Sequence, residues 1–222
     1  METPPKRPFI PSVEQWVAHL NGLIARPLEV VPIDGTDEQK FVYIEGFRDE
    51  FGSRRSTDRA LLSRVLGVEY QCVHSEKCDL DHRLWEAVHG IGGEWGSFVS
   101  ETGGLVEPTG YAIEHRTLIE LSALHALWHL CAGGAGEPMR ERVDALVDWH
   151  TRELQPDNGI NRPWGVHVFV MRSIEADDEQ IQLDAMLHAQ TLVNNCCISL
   201  GKPDVLSAMI LLDSANALRE LI

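Results

Sequence analysis

The chain reads as an all-α protein of antiparallel helical hairpins in series, with minor β structure in its N-terminal half. Three observations lead there. Apolar residues recur at helical spacing along most of the sequence. Capping-box patterns open several of these stretches: Ser12 with Gln15, and Thr36 with Gln39. Glycine and proline punctuate their ends, as at Gly67, Gly133, Gly134, Gly201 and Pro203.

Residues 1–11 hold four prolines and are expected to form a flexible arm, followed by one helical domain over 12–222. Trp16, Val17, Leu20 and Ile24 place a helix at 12–26. Residues 27–33 suit a short strand. A helix is expected from Thr36 to about Phe51, although Phe41-Val42-Tyr43-Ile44 equally suits a strand, since these residues favour burial and β structure alike. Short helices follow at 57–66 and 80–90. Residues 91–113 contain six glycines and Pro108, which marks a functional loop or a subdomain joint. The second half is more regular, with helices at 115–132, 138–154, 177–200 and 203–221. The apolar segment 164–172 fits helix or strand. Helix–turn–helix units of this kind build by antiparallel packing.

Composition narrows the function classes. Hydrophobic residues make up 44% and charged residues 24%, ordinary for a globular protein. The net charge of −15 disfavours nucleic-acid binding and anionic membrane surfaces, both of which require a basic face. No run approaches the roughly 18 apolar residues of a membrane span, and the first residues lack the apolar core of a signal peptide. Five cysteines, an odd number, fit reduced thiols, so a cytoplasmic location is expected. Dinucleotide, P-loop, serine-hydrolase and C-x-x-C motifs are absent.

Histidines carry the chemical promise. On a wheel of about 100° per residue, His115, Leu118, Ser122, His125 and His129 fall within an arc of about 80° on a helix otherwise apolar all round. His150 lies on the core-facing side of the next helix, with Val143, Leu146, Val147 and Leu154. His188 does the same beside Ala185 and Leu192, and His167 interrupts the apolar W-G-V-H-V-F. Inward histidines on successive helices suggest a shared polar pocket, in which His125, His129, His150 and His188 supply acid/base chemistry. Each alone also fits a hydrogen-bonded core histidine.

A divalent metal such as zinc is a narrower expectation. His125 and His129, four apart on one face, would be ligands with His150 as a third, although the glutamate of H-E-x-x-H is missing. Cys72, His74, Cys78 and His82 form a second candidate cluster whose spacing matches no common zinc finger.

Residues Arg142 to Gly165 hold a helix end followed by Gln155, Gly159 and Trp164. This resembles the QW-type hairpin of α/α-toroid proteins, the squalene–hopene cyclases and prenyltransferase-like domains, and implies stacked helical hairpins or a partial toroid. Four residues separate Gly159 from Trp164, where that family has one, and its acidic motif is missing. Asp157, Asn158 and Arg162 would lie at the rim of the histidine pocket, with His115, Ser122, Trp164 and His167 lining it. The ligand expected there is a small carbohydrate-like or polyol-like molecule. A non-catalytic interaction module and a metal-dependent hydrolase are the alternatives. The last helix is apolar enough to suggest a homodimer interface.

Overall fold

A computed structural model describes residues 9–72, 79–92, 95–107, 110–134, 137–154 and 160–221. Among these residues there are nine α-helices and no strand. In chain order they are α1 (Val13–Ile24), α2 (Asp37–Gly46), α3 (Ser56–Leu66), α4 (Leu80–Val88), α5 (Ile113–Ala132), α6 (Glu137–Glu153), α7 (Val166–Glu175), α8 (Glu179–Asn195) and α9 (Val205–Arg219).

Both predicted capping boxes form. The Ser12 hydroxyl accepts the Gln15 N–H while the Gln15 amide oxygen accepts the Ser12 N–H, and Thr36 and Gln39 repeat the exchange. Each such cap stabilises its helix start by about 1 kcal/mol. The predicted burial of Trp16, Val17, Leu20 and Ile24 holds on α1, which packs along α9.

The expected β structure is not there. Pro27, with φ fixed near the helical value, opens a single 3-10 turn at Pro27–Val30 instead of a strand. Phe41 to Ile44 lie inside α2, because the Thr36 cap commits the following residues to helix and only Ile44 of the four is buried. The 164–172 segment resolves into α7. Gly165 stands at its start with φ 73°, a backbone geometry that glycine alone adopts without strain. Residues 95–98 make one further 3-10 turn in the glycine-rich stretch.

Helices α5, α7 and α9 form the middle of the molecule. Helix α5 is buried from Thr117 to His129, with Leu118 half-buried, and contacts α4, α6 and α7; α9 lies against α1, α3 and α7. The most extensive helix pairings are α7 with α8 and α4 with α5. The last helix buries Leu206, Met209, Ile210, Leu211, Ala215 and Leu218 inside the chain itself, which accounts for its apolar excess. No helix among the described residues is long and apolar enough to cross a membrane. The packing of α5 and of α9 against α7 brings their few polar residues together.

Candidate metal centre

Three imidazoles meet between α5 and α7. His125 and His167 are fully buried and His129 is 8% exposed. The helical spacing of His125 and His129 puts their rings 5.3 Å apart, and His167 lies 4.3 Å from His125 and 5.4 Å from His129, centroid to centroid. One nitrogen from each ring lies within 4.8 Å of the others, close enough to share a metal ion. Trp85, Trp128 and Trp164 wall the group: Trp128 is 4.7 Å from His167, and Trp85 and Trp164 stand 5.5 and 5.4 Å from His125.

The fourth member is Asp213 of α9, 3% exposed. Its Oδ2 accepts the Nε2–H of His125 at 3.0 Å and of His129 at 2.7 Å. Its Oδ1 accepts the Nε–H of Arg64 at 3.1 Å. These contacts fix the tautomers. The Gly165 N–H donates to His125 Nδ1 at 3.1 Å, and an Arg64 N–H meets His129 Nδ1 at 3.0 Å. Since an amide or guanidinium N–H can only donate, both Nδ1 atoms are acceptors and both ring protons sit on Nε2. His167 Nδ1 lies 3.2 Å from the Ser214 hydroxyl, while its Nε2 is buried with no partner among the described residues.

Burial dominates the electrostatics. It holds the His125 imidazole down to about 4, against the opposing pull of Asp213. His167 is likewise held well below the usual histidine range by burial and by its two neighbouring imidazoles. Burial alone would raise the Asp213 carboxyl, but His129 and His125 outweigh it and keep the group well below the carboxylate range. Asp213 is therefore ionised, Arg64 is its counter-charge, and His125 and His167 are neutral, the form that ligates metals.

The other sequence candidates lie elsewhere. His150 belongs to a second buried group: its Nε2 is 3.2 Å from Glu120 Oε2, and Glu120 also accepts the N–H groups of Leu105 (3.0 Å) and Val106 (2.7 Å). His188 stacks on Phe169 at 4.2 Å, and that ring also faces His150 at 6.3 Å. The five inward histidines thus divide into two groups. The polar stripe of α5 explains the division, for it runs from the surface to the centre. His115 is exposed, its ring 5.4 Å from that of Tyr111 and its Nε2 4.0 Å from Asp79. Ser122 is buried and accepts the indole N–H of Trp85 at 3.1 Å. His150 meets α5 on another side, at Glu120.

Trp164 is buried against His125 and Trp85. Arg162 is 6% exposed, with its guanidinium on Glu50, Asp204 and Asp49 at 2.7, 2.7 and 3.4 Å. Those donors are occupied, although Arg162 and His115 border a cavity of about 340 Å³. In the Cys72–His82 cluster, Glu86 lies between Cys72 (2.6 Å) and His82 (3.6 Å). His74, Cys78, Gln155, Asp157, Asn158 and Gly159 fall outside the described residues.

The chain matches no protein-family model, no curated protein and no solved structure.

Sequence reasoning missed Asp213, Arg64 and Ser214. A signal for Asp213 was present: it is the one acid in M-I-L-L-D-S-A-N-A-L, on a helix apolar on nearly every side. A charge so placed is buried and needs a partner. Arg64 carried no such mark, since a basic residue in the last turn of a helix is ordinary.

Proposed function

We propose that this protein binds one divalent transition-metal ion at the His125–His129–His167–Asp213 centre. The observation that carries the reading is the Nε2 of His167, fully buried and unpartnered, beside two imidazoles within ligand distance of one another. An unsatisfied buried nitrogen is costly, on the order of 1–3 kcal/mol, and a bound ion removes that cost. Imidazoles with one carboxylate suit zinc, iron or manganese better than calcium or magnesium, which prefer oxygen. An ion there ties α5, α7 and α9 together, so its first consequence is folding stability.

Metal-assisted hydrolysis is the second reading. The side chain of Arg64 is 33% exposed, so the centre reaches solvent along it, and a water on the ion would become a nucleophile. A carbohydrate-like or polyol-like substrate would approach from that side.

Zinc titration of chelator-treated protein, followed by calorimetry, tests the metal reading. The expected stoichiometry is about one ion per chain, lost in His129→Gln and His167→Gln and retained in His150→Gln. Equal uptake by all three variants would place the ion elsewhere and end this reading.

A further inference from the structure

Ordinary metal-bound histidines donate their second ring N–H to a carbonyl or carboxylate. Here the second nitrogens of His125 and His129 face donors, Gly165 N–H and Arg64. Ligation through Nε2 moves the ring proton to Nδ1, where it would point at another N–H. For His129 the conflict is doubled, because an ion at its Nε2 would also face the Arg64 guanidinium, which lies 3.1 Å from Asp213 and 3.0 Å from His129 Nδ1.

The two contacts differ in what it takes to break them. Gly165 donates from the main chain at the start of α7, so releasing His125 requires the backbone to shift. Arg64 donates from a long side chain already one-third exposed, so a rotation into water releases His129. Resting on the metal reading above, we infer that Arg64 is a displaceable latch: it occupies the centre when the ion is absent and is expelled to solvent when the ion binds. His129, His167 and Asp213 then form the ligand set, and His125 keeps its Nε2–H on Asp213 as the residue that orients the carboxylate. Two imidazoles and one carboxylate leave positions open on the ion, as in non-haem iron sites.

The latch has a structural consequence. Arg64 joins the last turn of α3 to Asp213 of α9. Its departure removes that tie, so occupancy of the buried ion is reported at the surface end of α3. Ion binding and the α3–α9 tie exclude each other.

Cobalt(II) titration of wild type and Arg64→Met, followed by visible absorption and tryptophan fluorescence, tests this. Methionine keeps the packing of the stem and removes the donor and the charge. The variant is expected to bind cobalt about tenfold to a hundredfold more tightly, the equivalent of one charge-assisted hydrogen bond no longer broken. In wild-type protein, zinc should shift the Arg64 side-chain Nε–H resonance to that of a freely exchanging guanidinium, a readout that needs no variant. Binding by Arg64→Met alone also supports the latch. Equal or weaker cobalt binding by a folded Arg64→Met, or an Arg64 resonance unmoved at saturating zinc, overturns it while leaving the metal site standing. No binding by either protein removes the metal reading and the latch with it.

Discussion

The molecule holds two buried groups built from the same residue types, and they differ in what holds their carboxylates. Around Glu120, a carboxylate is shared by His150 and the main-chain N–H groups of Leu105 and Val106, so it pins the 105–106 loop onto α5. Around Asp213, a carboxylate is shared by two imidazoles and an arginine, none of them main chain. Each group also holds an imidazole nitrogen with no partner among the described residues, Nε2 of His167 here and Nδ1 of His150 at Glu120. Side-chain partners can rotate and main-chain partners cannot. The Glu120 group is therefore a clamp, and the Asp213 group has the freedom to exchange one set of partners for another.

The largest effect is expected at Glu120. Glu120→Ala leaves a buried imidazole and two main-chain donors unpaired, and should lower the unfolding free energy by about 3–5 kcal/mol in urea titration. Uptake of zinc by the folded fraction should not change. Gly104→Ala attacks the same clamp from outside: its Cβ would lie 2.5 Å from Glu120 Oε1 and 2.7 Å from a Trp149 ring carbon. The expected loss is about 3 kcal/mol, since the carboxylate is held too firmly to yield.

Beside the Glu120 group, His188 also makes stability depend on pH. Burial, reinforced by His150, depresses His188 to about 3 from 6.5. Between these values the unfolded chain binds a proton that the folded chain refuses, so stability rises with pH across that window and is lost as pH falls below 6.5. The loss is about 1.4 kcal/mol per pH unit, or roughly 2 kcal/mol at pH 5. Thermal unfolding of His188→Leu should show a shallower acid limb than wild type; identical limbs would remove His188 as the cause. The smallest effect is expected at the centre itself. His167→Gln in metal-free protein should change stability by only about 1 kcal/mol, because it disturbs one bond to Ser214 and leaves the Asp213 contacts in place.

The helices were legible because the signals that set them are local. Ser12 and Thr36 cap where expected, Gly67 stops α3 with φ 67°, and the apolar positions of α1 face the core. The β expectation at 27–33 and the ambiguity at 41–44 came from side-chain preference, which the Pro27 turn and the Thr36 cap override. At the centre, His125 and His129 were legible from their spacing and His167 from its place in an apolar run. Their separation from His150 and His188 was not. Which side of α5 each neighbouring helix meets depends on packing, and no periodicity within one helix encodes it. Asp213 and Arg64 lie 149 residues apart and become partners only through the contact of α3 with α9.

The most direct test of the central claim is the metal content of protein prepared without a histidine tag or chelators, measured by plasma mass spectrometry for wild type, His167→Gln and His188→Gln. About one zinc, iron or manganese per chain is expected in wild type and His188→Gln, and essentially none in His167→Gln. A metal-free wild type, or an ion that survives loss of His167, would contradict it.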